Sequence, residues 1–126
     1  MSHPPRAHSD AERDAEERVL AMTAHLPEVE AVTDGHDHRV LRVRGKTFLY
    51  LGSHGERGVG LSVKTDKATQ AELIATGRYT RTGYIGQHGW VSTTVGAIGW
   101  EEVEERVIES YWRVAPKSLV KAHGPR

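Results

Sequence analysis

"RVLRVRGKTFLYL", residues 39–51, is where the chain changes period. In "RVLRVR" and again in "TFLYL" apolar residues alternate with others, the two-residue repeat of a strand with one covered face. Gly45-Lys46 between the runs reads as a two-residue hairpin turn, with glycine at its first central position. Gly52, Gly55 and Gly58 surround a second turn, after which Val59-Gly60-Leu61-Ser62-Val63 alternates again. These residues predict a three-stranded antiparallel meander.

Outward from the meander the period is helical. On the N-terminal side, Ala11, Ala15, Val19, Met22 and Leu26 form one apolar stripe, closed by Pro27. Ser9-Asp10-Ala11-Glu12 before it reads as a capping box, and residues 1–8 read as a disordered lead. On the C-terminal side, Thr65 or Asp66 caps a short helix over 66–76, with Leu73 and Ile74 inward and Gly77 as its stop. Residues 78–89 form a loop, and Trp90 to Val95 a further strand. Trp100, Val103, Val107, Tyr111 and Val114 then mark a last helix that Pro116 ends, after which "KSLVKAHGPR" trails off. The prediction is an α+β domain over residues 9–121, with a tail at 122–126. It has a single antiparallel sheet of about four strands and helices packed on one face.

The chain has 126 residues and no cysteine, which removes disulfides, thiol nucleophiles and cysteine zinc sites. No apolar run approaches the ~20 residues of a membrane span, so a soluble, cytoplasmic, monomeric protein is the expectation. Net charge is zero but unevenly placed. Residues 1–38 carry three Arg/Lys against nine Asp/Glu, whereas residues 39–93 carry nine against three. The field is therefore polarised although its sum is nil.

Catalytic signals are weak. "GHDH", residues 35–38, offers His36 and His38 on one side of an extended segment, but no spacing supplies a third ligand and a polar turn explains it as well. No serine sits in a nucleophile elbow, and "GSHGERGVG" lacks the Lys-Ser/Thr of a phosphate loop. We expect no catalytic residue, metal or cofactor. "TGRYTRTGYIGQHGW", residues 76–90, looks instead like a binding segment, since it interleaves Arg78 and Arg81 with Tyr79, Tyr84 and Trp90. Lys64 and Lys67 precede it, and Arg113, Lys117 and Lys121 cluster later.

"YIGQHGWVSTTV", residues 84–95, and "ESYWRVAPKSLV", residues 109–120, resemble the MmcQ/YjbR family of small bacterial proteins. The likeness in element order covers nearly all of residues 10–121. It implies a CyaY-like fold, with a sheet likened to a phage double-wing DNA-binding domain. Members are labelled DNA-binding largely on that likeness. The shared positions are Tyr84, Gly86, His88, Gly89, Trp90 and Val91, then Ser110, Tyr111, Val114, Ala115, Pro116 and Lys117. Where relatives carry a Gly-His-Pro-x-Phe-like run, this chain has "GHDHRVLRV", without the proline and the aromatic. The resemblance also implies that the Tyr84–Trp90 loop lies beside Pro116-Lys117.

The function expected is weak, non-enzymatic binding of double-stranded DNA through a basic sheet surface. Lys64, Arg78, Arg81, Arg113 and Lys117 would meet phosphates, and Gln87 and His88 base edges. Gly86 and Gly89 would turn the chain so that Trp90 enters the core, with Tyr84 propping the turn. The alternative is a module binding an acidic protein or a small ligand with the Tyr84–Trp90 loop.

Overall fold

The computed structural model describes residues 10–33, 39–53 and 58–124. Six strands form one antiparallel sheet: β1 (Val29–Thr33), β2 (Arg39–Val43), β3 (Lys46–Ser53), β4 (Val59–Lys64), β5 (Thr80–Arg81) and β6 (Trp90–Thr94). Their order across the sheet is β1-β2-β3-β4-β6-β5. The meander is thus its centre, extended by β1 on one side and by β6 and β5 on the other.

The register explains which face is buried. Leu41, Leu49, Val63 and Val91 stand opposite one another across four strands, so all four project to one face. That face carries α1 (Asp10–Thr23), α2 (Lys67–Ala75), α3 (Val95–Val114) and α4 (Lys117–His123). Val103, Val107 and Tyr111 of α3 are fully buried, and complete burial of one such valine contributes about 1.5–3 kcal/mol. The Tyr111 ring meets Phe48 edge-on with centroids 5.3 Å apart, and its hydroxyl donates to the Pro27 carbonyl at 2.5 Å. The predicted α1 stripe holds, with Ala15, Val19 and Leu26 buried and Met22 packed at their edge. Its proposed cap at Ser9 lies outside the described residues.

Several details differ from the sequence reading. Val43 pairs with Lys46, so the hairpin turns on Arg44 and Gly45, one residue earlier than expected. Both have positive φ, 48° and 81°, as a type I′ turn requires. A bulge between Leu41 and Arg42 shifts the register and sets that position. Arg44 tolerates the turn while its guanidinium grips Glu28 with two 3.0 Å bonds and Ser118 at 3.2 Å. "KSLVKAH" does not trail off but forms α4, with Leu119 buried. α3 begins at Val95, capped by Thr94, and breaks at Gly99 (φ 79°, ψ 160°), so its long stretch starts at Trp100 as the spacing predicts.

Candidate functional site

The loop before β6 is built from behind. Tyr84 has φ 58° and ψ −62°, and the Ile85 N–H donates to the Gly83 carbonyl at 2.6 Å, which closes a γ-turn. A single 3-10 turn, Ile85–His88, follows, and Gly89 leaves it at φ 92°. A side chain at Gly89 would put its Cβ 2.1 Å from the Thr65 carbonyl oxygen, so glycine is needed for both conformation and contact. Thr65 holds the Gly89 carbonyl with its N–H at 2.9 Å and its hydroxyl at 2.6 Å. Gln70, buried on α2, donates to the carbonyls of Gly86 at 2.7 Å and Trp90 at 2.9 Å. At Gly86 a Cβ would meet the Arg81 side chain at 2.4 Å.

The side chains so positioned divide sharply. Gln87 and His88 are exposed, and Tyr84 is 99% exposed, so Tyr84 does not prop the turn. Trp90 is buried, yet not in the helix-covered core. It pairs with Lys64 across the sheet and packs on Tyr50 at 5.4 Å, on the helix-free face. That face is polar around it, with Ser92 bonded to Ser62 at 2.7 Å and to Thr82 at 2.8 Å. Of the basic residues expected on the sheet, Lys64 stands on this face, opposite Trp90.

Basic residues meet in a cleft of about 480 Å³ lined by Lys64, Thr65, Asp66, Lys67, His88 and Arg113. Lys64 Nζ donates to the His88 carbonyl at 2.6 Å, which ties the loop to the end of β4. Arg113 reaches Asp66 at 3.1 Å from the end of α3. The N–H of Thr69 donates to Asp66, and with Arg113 nearby this holds that carboxyl below the ordinary range. Ser110 places this end of α3: its hydroxyl donates to Phe48 O at 2.6 Å and accepts from Lys64 N at 2.9 Å.

Lys64, His88 and Arg113 are thus brought together, with Gln87 beside them in the loop. The other expected contacts stand apart. Arg78 is paired with Glu102 at 2.9 Å, and the same carboxylate accepts the Tyr79 hydroxyl. Arg81 lies on the two-residue edge strand opposite Val91. Lys117 is exposed at the start of α4, and no hydrogen bond among the described residues joins it to the loop. Residues 34–38 and 54–57 are outside the described set, so the expectation for His36 and His38 is not addressed by the structure. Among the described residues no three His, Asp or Glu side chains are grouped to hold a metal. Sequence reasoning missed Gln70 and Thr65 as clamps. A polar residue three and four positions before Leu73 and Ile74, on their inward face, was the available signal for Gln70.

The family model described as YjbR matches residues 24–113. The chain belongs to the YjbR family. No curated protein matches it. Among solved structures it is similar to the crystal structure of Deinococcus radiodurans protein DR2400, whose domain is described as DUF419. That likeness has a TM-score of 0.71 and 18% identity, and covers 88% of each chain. At that identity it shows a shared fold. Among the described residues no helix is long and apolar enough to cross a membrane.

Proposed function

We propose that this YjbR-family chain is a non-enzymatic cytoplasmic protein that binds double-stranded DNA weakly. Backbone phosphates would sit at the cleft of Lys64, Lys67 and Arg113, beside Gln87, His88 and Tyr84 of the loop. The observation that carries this reading is the convergence of Lys64, Lys67 and Arg113, with His88 beside them, on one cleft whose lining holds a single acid, Asp66, in a chain of zero net charge. Arg78 does not line this cleft and is paired with Glu102. Fluorescence anisotropy of a labelled random duplex at ~50 and ~200 mM salt tests the proposal. A Kd of ~10⁻⁴–10⁻⁶ M that weakens steeply with salt is expected, and Lys67→Ala and Arg113→Ala should each flatten the salt slope by about one. Absence of binding at the lower salt, or unchanged slopes in both variants, would sink it.

A second reading, a module for a small anionic ligand, is favoured by the shape of the same cleft. Its volume of about 480 Å³ falls in the range of small-molecule sites. Inorganic phosphate or a nucleotide that binds while duplex does not would select this reading.

A further inference from the structure

We propose that the groove between α1 and the long stretch of α3 is a docking site for a basic, amphipathic segment of a partner protein. Two adjoining cavities, of about 650 and 380 Å³, share Arg18, Ala21 and Trp100 and run on into one another. Their floor is apolar, from Ala15, Val59 and Val95 in one to Met22 in the other, with the Trp100 ring between. Asp14 and Glu17 of α1 stand on the rim of the first cavity, and Glu101 and Glu104 of α3 on that of the second. Each pair is three residues apart, one helical turn, so two pairs of carboxylates flank the apolar floor.

Charge complementarity names the occupant. All four carboxylates are exposed, and none makes an ion pair among the described residues. Glu16, Glu28, Asp66, Glu102 and Glu109, by contrast, each lie within ion-pair distance of an arginine. The chain's own Arg18 marks how a cation fits, with its guanidinium 4.3 Å from the centre of the Trp100 ring. A segment bearing Lys or Arg on one side and apolar residues on the other satisfies rim and floor together, and its cation can take the place of Arg18 on the ring. Nucleic acid is repelled by the same rim. The site is independent of the cleft at Arg113, which lies ~20 Å along the axis of α3 from Trp100.

The test titrates the full chain against a fluorescein-labelled peptide of about twelve residues, with lysine and leucine in amphipathic helical order. Neutralising the rim with Asp14→Asn, Glu17→Gln, Glu101→Gln and Glu104→Gln together is expected to weaken binding at least roughly tenfold. Arg18→Ala should tighten it by clearing the ring, and Lys67→Ala/Arg113→Ala should leave it unchanged. Wild-type affinity in the rim variant, with folding verified by thermal melting, would overturn the proposal, as would weaker binding to Arg18→Ala. Equal affinity for an all-lysine peptide would remove the role of the floor. Displacement of the peptide by spermidine at matching concentration would assign the groove to a small polycation instead.

Discussion

Gln70 sends both hydrogens of one carboxamide nitrogen into the loop, to the carbonyls of Gly86 and Trp90. Its backbone is held in α2, which Asp66 caps through the Thr69 N–H at 2.7 Å. Replacing Gln70 with alanine leaves these inward carbonyls short of donors, a cost of about 1–3 kcal/mol. We expect urea denaturation of Gln70→Ala to show that loss, and Gln70→Glu at neutral pH to lose at least as much, since a carboxylate cannot donate. A wild-type midpoint for both would show that the loop needs no clamp. Tyr84 is the opposite kind of residue. A non-glycine in a γ-turn of this hand stores about 1–3 kcal/mol of strain, and its fully exposed ring recovers nothing by packing.

Between elements, Ser110 is the joint. Its hydroxyl bridges the Phe48 carbonyl and the Lys64 N–H where β3 and β4 end their pairing, and it is 0% exposed. Ser110→Ala leaves two inward main-chain groups unpaired, and a loss of about 2–4 kcal/mol is expected in thermal or denaturant unfolding. Stability within error of wild type would refute that role. The meander, α1, β6 and the long part of α3 were legible because each buries a clear periodic face, and α2 because Asp66 caps it and Gly77 follows its end. β1 was not, since on the sheet edge its pattern is mostly exposed and gives no alternation to read. β5 has two residues and α4 seven, too few for a period to register. The cleft was half legible. Lys64, His88 and Arg113 were named from charge and glycine context, but their meeting depends on Ser110 and Thr65, whose hydroxyls look ordinary in sequence.

Across the whole molecule the charge imbalance seen in sequence becomes two poles at the ends of α3, acidic around Trp100 and basic around Arg113. Between them Glu102 ties α3 to the segment before β5. The hydrogen bond from Arg78, then that from Tyr79, holds the Glu102 carboxyl below its ordinary value. A folded value below the unfolded one means the stabilisation is complete above the usual carboxylate range and lost as pH falls through the lowered value. The gap in urea midpoint between wild type and Glu102→Gln should therefore be full near pH 7 and close progressively below about pH 4.5. A gap that stays constant down to about pH 3 would mean the pair contributes nothing through ionisation. The loop has a last consequence at this scale. The side chains that hold residues 84–90, those of Lys64, Thr65 and Gln70, bond main-chain carbonyls, and the side chains of Tyr84, Gln87 and His88 make no hydrogen bond among the described residues. Those three codons can therefore be rewritten to change what borders the cleft while the skeleton behind it stays the same.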